Sequence, residues 1–124
     1  SAAAQLQDTG KVGVVGYCWG GTAAYLANTR LSMPAVSYYG ARTVPYLDEQ
    51  LDAPMQFHFG DRDPSIPAED VALHRERHPD AEVHVYPAGH GFNCDQRADY
   101  DRASATLALE RTLGFLQRAL HPSY

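Results

Sequence analysis

Apolar residues occur along the chain in two periodicities. Short, nearly continuous apolar runs are typical of buried strands, whereas apolar residues three or four positions apart are typical of helices. The first pattern predicts four strands: KVGVVG at 11–16, PAVSYYG at 34–40, MQFHFG at 55–60 and AEVHVYP at 81–87. The second pattern predicts helices over 21–28, from Pro67 to before Pro79, and over about 98–120, with a short helical turn at 46–51. Strands and helices alternate, which predicts an α/β protein.

Apolar strands that are joined by helices form mainly parallel sheets with helices packed on the faces. We therefore expect about four mainly parallel strands with helices on both faces. The last helix carries a leucine stripe that predicts its core-facing side: Leu109, Leu113, Leu116 and Leu120. In such sheets the loops at the carboxyl ends of the strands meet at one edge, and ligands bind there.

The loop after the first predicted strand has the pattern G-x-C-x-G, from Gly16 to Gly20. This is the cysteine form of the nucleophile turn G-x-S-x-G. An abrupt turn from strand to helix brings the residues two before and two after the turning residue close together, so only small residues fit there. Cys18 would also lie at a helix N-terminus, where N–H groups favour a thiolate. The alternative is a small, inert, buried cysteine.

Two later loops supply an acid and a base for such a nucleophile. Asp61 and Asp63 follow the third strand, and His90 follows the fourth. The order nucleophile, acid, histidine is that of hydrolases with this turn. His90 would take the proton from Cys18, and the acid would hold the imidazole in one tautomer. The two aspartates compete for the acid role, because an offset of two residues makes it difficult for both to face the imidazole.

The bulk composition limits the partners of the protein. The chain has 124 residues, a net charge of −5 and 44% hydrophobic residues. Its length predicts one domain, and its charge argues against nucleic acid or an anionic membrane as a partner. No apolar run reaches the roughly 18 residues of a membrane helix. Two cysteines, Cys18 and Cys94, are too few for a disulfide framework, which favours a reducing compartment and a cytoplasmic location.

Other histidines carry weaker signals. HRERH at 74–78 places His74 and His78 at the spacing of a zinc site, but its glutamate is misplaced for H-E-x-x-H and no third ligand is evident. We therefore expect a solvated helix face there. His58 and His84 lie in predicted strands, where we expect them to pack or to form hydrogen bonds.

The motifs together resemble the dienelactone hydrolase family of the α/β-hydrolase superfamily. The segments that carry the resemblance are KVGVVGYCWGG, SYYG at 37–40, FHFGDRDPSIP, YPAGHGF at 86–92 and ERTLGFL. The resemblance runs over nearly the whole chain but covers only the C-terminal half of the family's length. It implies that residues 1–124 form one domain with a partial α/β-hydrolase fold. It also implies a carboxylic ester hydrolase that opens an ester or lactone, as a carboxymethylenebutenolidase does, without a metal or an organic cofactor.

The resemblance also implies roles for individual residues. Cys18 would be the nucleophile, His90 the base and Asp63 rather than Asp61 the acid. The backbone N–H of Trp19 would bind the oxyanion, while its side chain either walls the acyl pocket or packs under the turn.

Three aromatic residues are assigned to substrate contact, with aromatic packing as the alternative for the two tyrosines: Tyr38, Tyr39 and Phe92. Arg97 follows His90 by seven residues, too far along the loop to be an obvious partner for a substrate carboxylate, so a neutral ester or thioester stays open as the substrate.

The resemblance raises a question about the first strand. That strand is central in the family fold, so 11–16 would form an uncovered apolar edge of the sheet, which proteins avoid. We expect a missing N-terminal half or self-association to cover it. A catalytically incomplete fragment or partner-binding half is therefore an alternative to the enzyme. A further alternative is a redox thiol protein in which Cys18 pairs with Cys94.

Overall fold

The computed structural model describes residues 2–6, 11–92 and 101–120. Along the chain, the elements are β1 (Ala2–Leu6), β2 (Lys11–Tyr17), α1 (Trp19–Leu31), β3 (Ala35–Tyr38), a 3-10 turn (Val44–Tyr46), β4 (Met55–Gly60), α2 (Ala68–Arg77), β5 (Glu82–Tyr86) and α3 (Arg102–Leu120). The four predicted strands are present, each within two residues of its predicted ends. The short helical turn lies slightly earlier than predicted, and the predicted start of the last helix at 98 lies outside the described residues.

The strands form one sheet in the order β1-β2-β3-β4-β5. The last four strands run parallel, as predicted. Because parallel neighbours need a crossover, the connections through α1 and α2 carry the chain from the carboxyl end of one strand to the start of the next. The loops that follow β2, β3, β4 and β5 therefore open at the same edge of the sheet.

A fifth strand corrects the expectation of an uncovered edge at 11–16. β1 pairs antiparallel with β2, with Ala2 opposite Val15 and Leu6 opposite Lys11. The chain thus pairs this side of β2 by itself, whereas self-association and a missing N-terminal half stay predictions. The sequence did not indicate β1, because alanine is depleted in strands and the segment has no alternation of apolar and polar residues.

Helices cover both faces of the sheet, as predicted. On one face the Phe57 ring packs against Tyr25 of α1 and His74 of α2, at centroid distances of 6.0 and 4.9 Å. On the other face Thr112 of α3 forms a hydrogen bond with the hydroxyl of Tyr38 at 2.7 Å. Alternate residues of a strand point to opposite faces, so each central strand contributes to both layers of the core.

The leucine stripe of α3 is only half buried, which corrects the predicted core face. Leu116 and Leu120 are buried, but Leu109 and Leu113 are 52% and 59% exposed. The buried side of the helix consists of small residues in its first part and large ones in its last part: Ser104, Ala108, Thr112, Phe115, Leu116 and Leu120. Small side chains let the helix approach the sheet closely, and the Thr112 hydroxyl needs its partners on the sheet. Leu109 lies within about 20° of both Leu116 and Leu120 around the helix axis, so its exposure comes from its position along the helix and not from the rotation of the helix.

The two histidines of the HRERH segment are buried, so the expected solvated face is wrong. Val71 and His74 lie on the side of α2 that faces the sheet, and His78 ends that helix. His74 Nδ1 donates to the carbonyl of Asp70 at 2.7 Å, and His78 Nε2 forms a hydrogen bond with the Tyr25 hydroxyl at 2.8 Å. Burial lowers the pKa of both histidines. Among the described residues no group of three or more side chains could hold a metal ion.

His58 lies in the middle of β4 and forms hydrogen bonds, as expected. Its Nε2 lies 2.6 Å from the side-chain oxygen of Gln56, and its Nδ1 lies 2.7 Å from the hydroxyl of Tyr86. The amide oxygen only accepts, so Nε2 carries the proton and Nδ1 accepts from the tyrosine. Burial lowers the pKa of His58 to about 3. His84 forms a longer hydrogen bond with Glu82.

None of the helices in the described ranges combines the length and the apolar character that crossing a bilayer requires.

The buried histidines predict that acid weakens the fold. An unfolded histidine titrates near 6.5, whereas burial lowers the pKa of His58 in the fold to about 3. The unfolded state therefore binds more protons below pH 6.5, so the free energy of unfolding is highest above that pH and falls as the pH decreases towards 3. We expect His58 alone to contribute a loss of about 1.4 kcal/mol per pH unit in this range.

Urea unfolding at pH 7.5, 6 and 5 measures this loss above the range in which most carboxylates titrate. His58→Gln removes this titrating group but retains a polar side chain. It should reduce the slope of the free energy of unfolding against pH by the equivalent of about one proton. A wild-type free energy of unfolding that stays constant from pH 7.5 to 5 would contradict the prediction.

Candidate active site

A single residue makes the turn from β2 to α1. β2 ends at Tyr17 and α1 begins at Trp19, so Cys18 alone reverses the direction of the chain. It does so with φ 54° and ψ −117°, a backbone conformation that costs free energy for any residue with a side chain. Its N–H donates to the carbonyl of Tyr38 and its carbonyl accepts from the N–H of Gly21, both at 3.0 Å. These bonds hold Cys18 at the carboxyl edge of the sheet.

The two flanking glycines have the role that their spacing predicts. A Cβ atom placed on Gly16 would lie 1.8 Å from the carbonyl oxygen of Gly20. The backbones of strand and helix therefore touch at this point, and no other residue fits without moving one of them. A Cβ on Gly21 would lie 2.7 Å from the hydroxyl of Ser37, so the first turn of α1 also packs directly against β3.

His90 and Asp63 form a hydrogen-bonded pair across two loops. The Nδ1 of His90 lies 2.6 Å from Oδ2 of Asp63, whose side chain is fully buried. The other carboxylate oxygen accepts the N–H of Ser65 at 2.8 Å. Because the carboxylate only accepts, Nδ1 carries the proton, and Nε2 of a neutral His90 is the nitrogen that can take one.

Asp61, the other candidate for the acid, is placed differently. Its side chain is more than half exposed and lies 4.0 Å from the guanidinium of Arg62. Its backbone N–H donates to the carbonyl of Tyr86, and the next N–H donates to Ala88. The backbone of Asp61 thus helps to hold the two loops together. The carboxylate that accepts the hydrogen bond from the imidazole is that of Asp63.

Cys18 and His90 line the same cleft. The cleft has a volume of about 190 Å³ and is lined by Cys18, Trp19, Ala41, Arg42, Ser65 and His90. Trp19 is 69% exposed, so of its two alternatives it walls the cleft and does not pack under the turn. Its backbone N–H is the first of α1, one of the four that have no acceptor within a helix. A larger cleft of about 330 Å³ between 47–51 and 77–80 contains none of these residues.

The three aromatic residues assigned to substrate contact do not line this cleft. Tyr38, Tyr39 and Phe92 are all buried. Tyr38 faces α3 and stacks on His58 at a centroid distance of 4.5 Å. The Tyr39 ring lies 5.1 Å from the ring of His90 and 5.3 Å from Phe92. These three residues therefore pack as an aromatic cluster, and Tyr39 of this cluster lies against His90. Their contact with substrate stays a prediction.

Sequence analysis did not identify two polar residues that line the cleft, Ser65 and Arg42. Ser65 lies in the same loop as Asp63, and Arg42 lies in the loop that follows β3. The guanidinium of Arg42 sits over the Trp19 ring, 4.2 Å from its centroid. Its position just after a strand was the available signal, since loops that follow parallel strands share one edge. Cys94 and Arg97 lie outside the described residues, so pairing of Cys94 with Cys18 stays a prediction.

Sequence comparison places this geometry in a family. The model of the dienelactone hydrolase family matches residues 1–120. The chain belongs to this family. A carboxymethylenebutenolidase of Pseudomonas putida is 38% identical over 119 residues, which cover 90% of this chain and 50% of that protein. The chain thus spans about half the length of the curated relatives it matches.

Solved structures show the same fold. A protein of Klebsiella pneumoniae that is provisionally named a dienelactone hydrolase superposes with a TM-score of 0.75 at 33% identity, over 83% of this chain and 50% of that one. A Pyrococcus furiosus esterase superposes with a TM-score of 0.71 at 16% identity, over 87% of this chain and 54% of that one. The second likeness shows the fold alone. Together they place this dienelactone hydrolase family member in the α/β-hydrolase fold.

The close contact at Gly16 predicts that adding one methyl group there strongly lowers the free energy of unfolding. Gly16→Ala should destabilise the fold by at least about 2 kcal/mol, because the atom it would meet is backbone and cannot rotate away. Gly114→Ala in α3 is the matched control: its Cβ would meet only the end of the flexible Arg118 side chain, at 3.3 Å. Alanine in a helix should stabilise by about 0.5–1 kcal/mol. Denaturant unfolding compares the two, and equal midpoints would contradict the argument.

Proposed function

We propose that this chain carries the catalytic site of an ester or lactone hydrolase, with Cys18 as nucleophile, His90 as general base and acid, and Asp63 as the residue that orients the imidazole. One observation carries the proposal. The buried Asp63 carboxylate holds Nδ1 of His90 at 2.6 Å, and that histidine lines one small cleft with Cys18 on its strained turn.

Acylation follows from this arrangement. Nε2 of His90 takes the thiol proton as the sulfur attacks the carbonyl carbon of the substrate, and a C–S bond forms while the carbonyl oxygen gains negative charge. The carbonyl then re-forms as the C–O bond to the leaving group breaks. The imidazolium returns its proton to the leaving oxygen. Asp63 stabilises the imidazolium throughout by accepting from Nδ1.

Deacylation uses the same histidine in the opposite direction. Nε2 takes a proton from water, whose oxygen attacks the thioester carbon. The C–S bond breaks, the sulfur recovers the proton and the acid product leaves. The balance of both steps is one ester and one water consumed, and one acid and one alcohol released. For a lactone, the acid and the alcohol remain in one molecule.

The N-terminus of α1 supports charge development in both steps. The N–H of Trp19 follows the nucleophile directly, which is the position of an oxyanion donor after this kind of turn. Loss of one such donor typically costs about 10²- to 10³-fold in rate. The cleft of about 190 Å³ is smaller than the roughly 300–1,000 Å³ of sites for drug-sized ligands, which favours a small substrate.

The family favours a lactone as substrate. The Pseudomonas putida relative is named a carboxymethylenebutenolidase, and this chain aligns with half of it. We propose that residues 1–124 are the part of such a hydrolase that contains the nucleophile, the acid and the histidine, with a small ester or lactone as the substrate.

Hydrolysis of p-nitrophenyl acetate tests the nucleophile. We expect Cys18→Ala to lower kcat by about 10³-fold or more, because the proposed acyl intermediate forms on the sulfur of Cys18. Mass spectrometry of the acid-quenched wild-type reaction should find one acetyl group on Cys18. Wild-type turnover that Cys18→Ala leaves intact, or no turnover above that variant, would contradict the proposal.

A pair of aspartate variants tests the acid. Asp63→Asn should lower kcat by about 10³-fold or more, because an amide oriented to donate would hold the imidazole in the wrong tautomer. Asp61→Asn makes the same chemical change two residues away on an exposed side chain, and it should stay within about twofold of wild type. Equal effects of the two substitutions on the p-nitrophenyl acetate reaction would show that Asp63 does not orient His90.

A further inference from the structure

Ser65 lines the cleft with Cys18 and His90, and the proposed reaction has not yet used its side chain. The residue is exposed, and none of the hydrogen bonds between described residues involves its hydroxyl. A hydroxyl has one hydrogen that it can donate and two lone pairs that can accept. Ser65 therefore adds to the cleft a polar group that can donate and accept at the same time.

A tight turn holds Ser65 in this position. The N–H of Ser65 donates to Oδ1 of Asp63 at 2.8 Å, and the N–H of Ile66 donates to the backbone carbonyl of Asp63 at 3.2 Å. Pro64 lies inside the turn, and its ring fixes φ there. The buried side chain of Ile66 anchors the end of the turn. A substitution that changes only the hydroxyl of Ser65 therefore leaves the hydrogen bonds of the turn in place.

One carboxylate positions both Ser65 and the proposed base. Oδ2 of Asp63 accepts from Nδ1 of His90 at 2.6 Å, while Oδ1 accepts from the N–H of Ser65 at 2.8 Å. The side chain of Asp63 is fully buried, so its two oxygens have little freedom to move. The imidazole and the backbone of Ser65 are therefore held on the two oxygens of one fixed group, and both residues line the cleft that contains Cys18.

Deacylation requires a water molecule in one particular orientation. One hydrogen of that water must point to Nε2 of His90, and a lone pair of its oxygen must point to the carbonyl carbon of the acyl group on Cys18. A water that is held by one hydrogen bond still rotates about that bond. An acceptor for the second hydrogen removes this freedom before the reaction begins, which lowers the entropic part of the barrier.

Among the described residues that line the cleft, Ser65 has the one side chain that can accept this second hydrogen. The indole of Trp19 and the guanidinium of Arg42 only donate. The methyl group of Ala41 neither donates nor accepts. At this stage the sulfur of Cys18 carries the acyl group, and the imidazole receives the first proton. The donors and acceptors around the cleft therefore favour the hydroxyl of Ser65 for the remaining contact.

We propose that the hydroxyl of Ser65 accepts one hydrogen of the attacking water and thereby orients this water for deacylation. This inference rests on the proposed function, because it adds a residue to the second step of the same reaction. The water loses its other proton to Nε2 of His90 as its oxygen bonds to the thioester carbon. The C–S bond then breaks, and the sulfur of Cys18 takes that proton from the imidazolium. Ser65 keeps its own proton throughout.

Separate rate constants for the two steps test this role. Stopped-flow measurement of p-nitrophenol release from p-nitrophenyl acetate gives the rate constant of acylation. Mass spectrometry of isolated acetyl-enzyme, quenched with acid at intervals, gives the rate constant of deacylation. We expect Ser65→Ala to lower the deacylation rate constant about three- to tenfold, which is the loss typical of one neutral hydrogen bond. The acylation rate constant should change by less than about twofold, because no water takes part in that step.

Two controls separate the hydroxyl from the fold of the loop. Ser65→Thr retains a hydroxyl at the same position, so it should recover most of the deacylation rate constant that Ser65→Ala loses. Hydroxylamine is a strong nucleophile that attacks a thioester without a general base. Its reaction with the acetyl-enzyme should therefore have nearly the same rate constant in wild type and in Ser65→Ala.

Several results would overturn the proposal while the proposed function stands. These are equal deacylation in wild type and Ser65→Ala, equal losses in acylation and deacylation, equal losses with water and hydroxylamine, and deacylation of Ser65→Thr as slow as that of Ser65→Ala. Equal losses in both steps would mean that Ser65 acts on the pair of Asp63 and His90 and not on the water. If the wild type forms no acetyl group on Cys18, the proposed function itself fails, and this inference fails with it.

Discussion

The candidate site depends on one close contact, that between the backbones of Gly16 and Gly20. Because no side chain separates them, β2 can enter α1 through a single residue, and that residue must then adopt a positive φ. Cys18 is consequently raised at the carboxyl edge of the sheet, with the first N–H groups of a helix beneath it. The strain is compensated by hydrogen bonds to β3 and within the turn. The position of the thiol is thus a property of the whole sheet and helix junction rather than of a loop.

The same principle of close backbone contact organises the other side of the cleft. A Cβ on Gly60 would lie 2.3 Å from the carbonyl oxygen of Ala88, so the loops after β4 and β5 are pressed together. Backbone bonds from Asp61 and Arg62 to the β5 loop join them further. Between these two loops, the buried carboxylate of Asp63 forms its hydrogen bond with the imidazole of His90. Aromatic rings behind His90 limit its movement away from the cleft. Cys18 and His90, which we propose as nucleophile and base, are therefore each held by rigid elements, which favours preorganised chemistry.

Much of the fold and of the candidate site could be predicted, because the pattern of apolar residues agrees with the topology of a parallel sheet. Four strands were predicted close to their ends, since continuous apolar runs are bounded by glycine or proline. Parallel topology then brings Cys18, Asp63 and His90 to one edge without further information. The structure corrected what depends on tertiary packing. An alanine-rich segment has little strand propensity of its own, and becomes β1 only by pairing with β2. His74 is polar, so the sequence did not show that it lies on the buried side of α2. No motif marks Arg42, which stacks on the ring of Trp19.

The threonine on the buried side of α3 has a consequence for how this helix is oriented. Hydrophobic burial is non-directional, so apolar side chains alone leave several azimuths of the helix about its own axis open. The Thr112 hydroxyl, which bonds both to Tyr38 and to the carbonyl one turn earlier, is satisfied at only one of them. The hydrogen bonds of Thr112 thus give the last helix one rotational setting, which non-directional burial does not provide by itself.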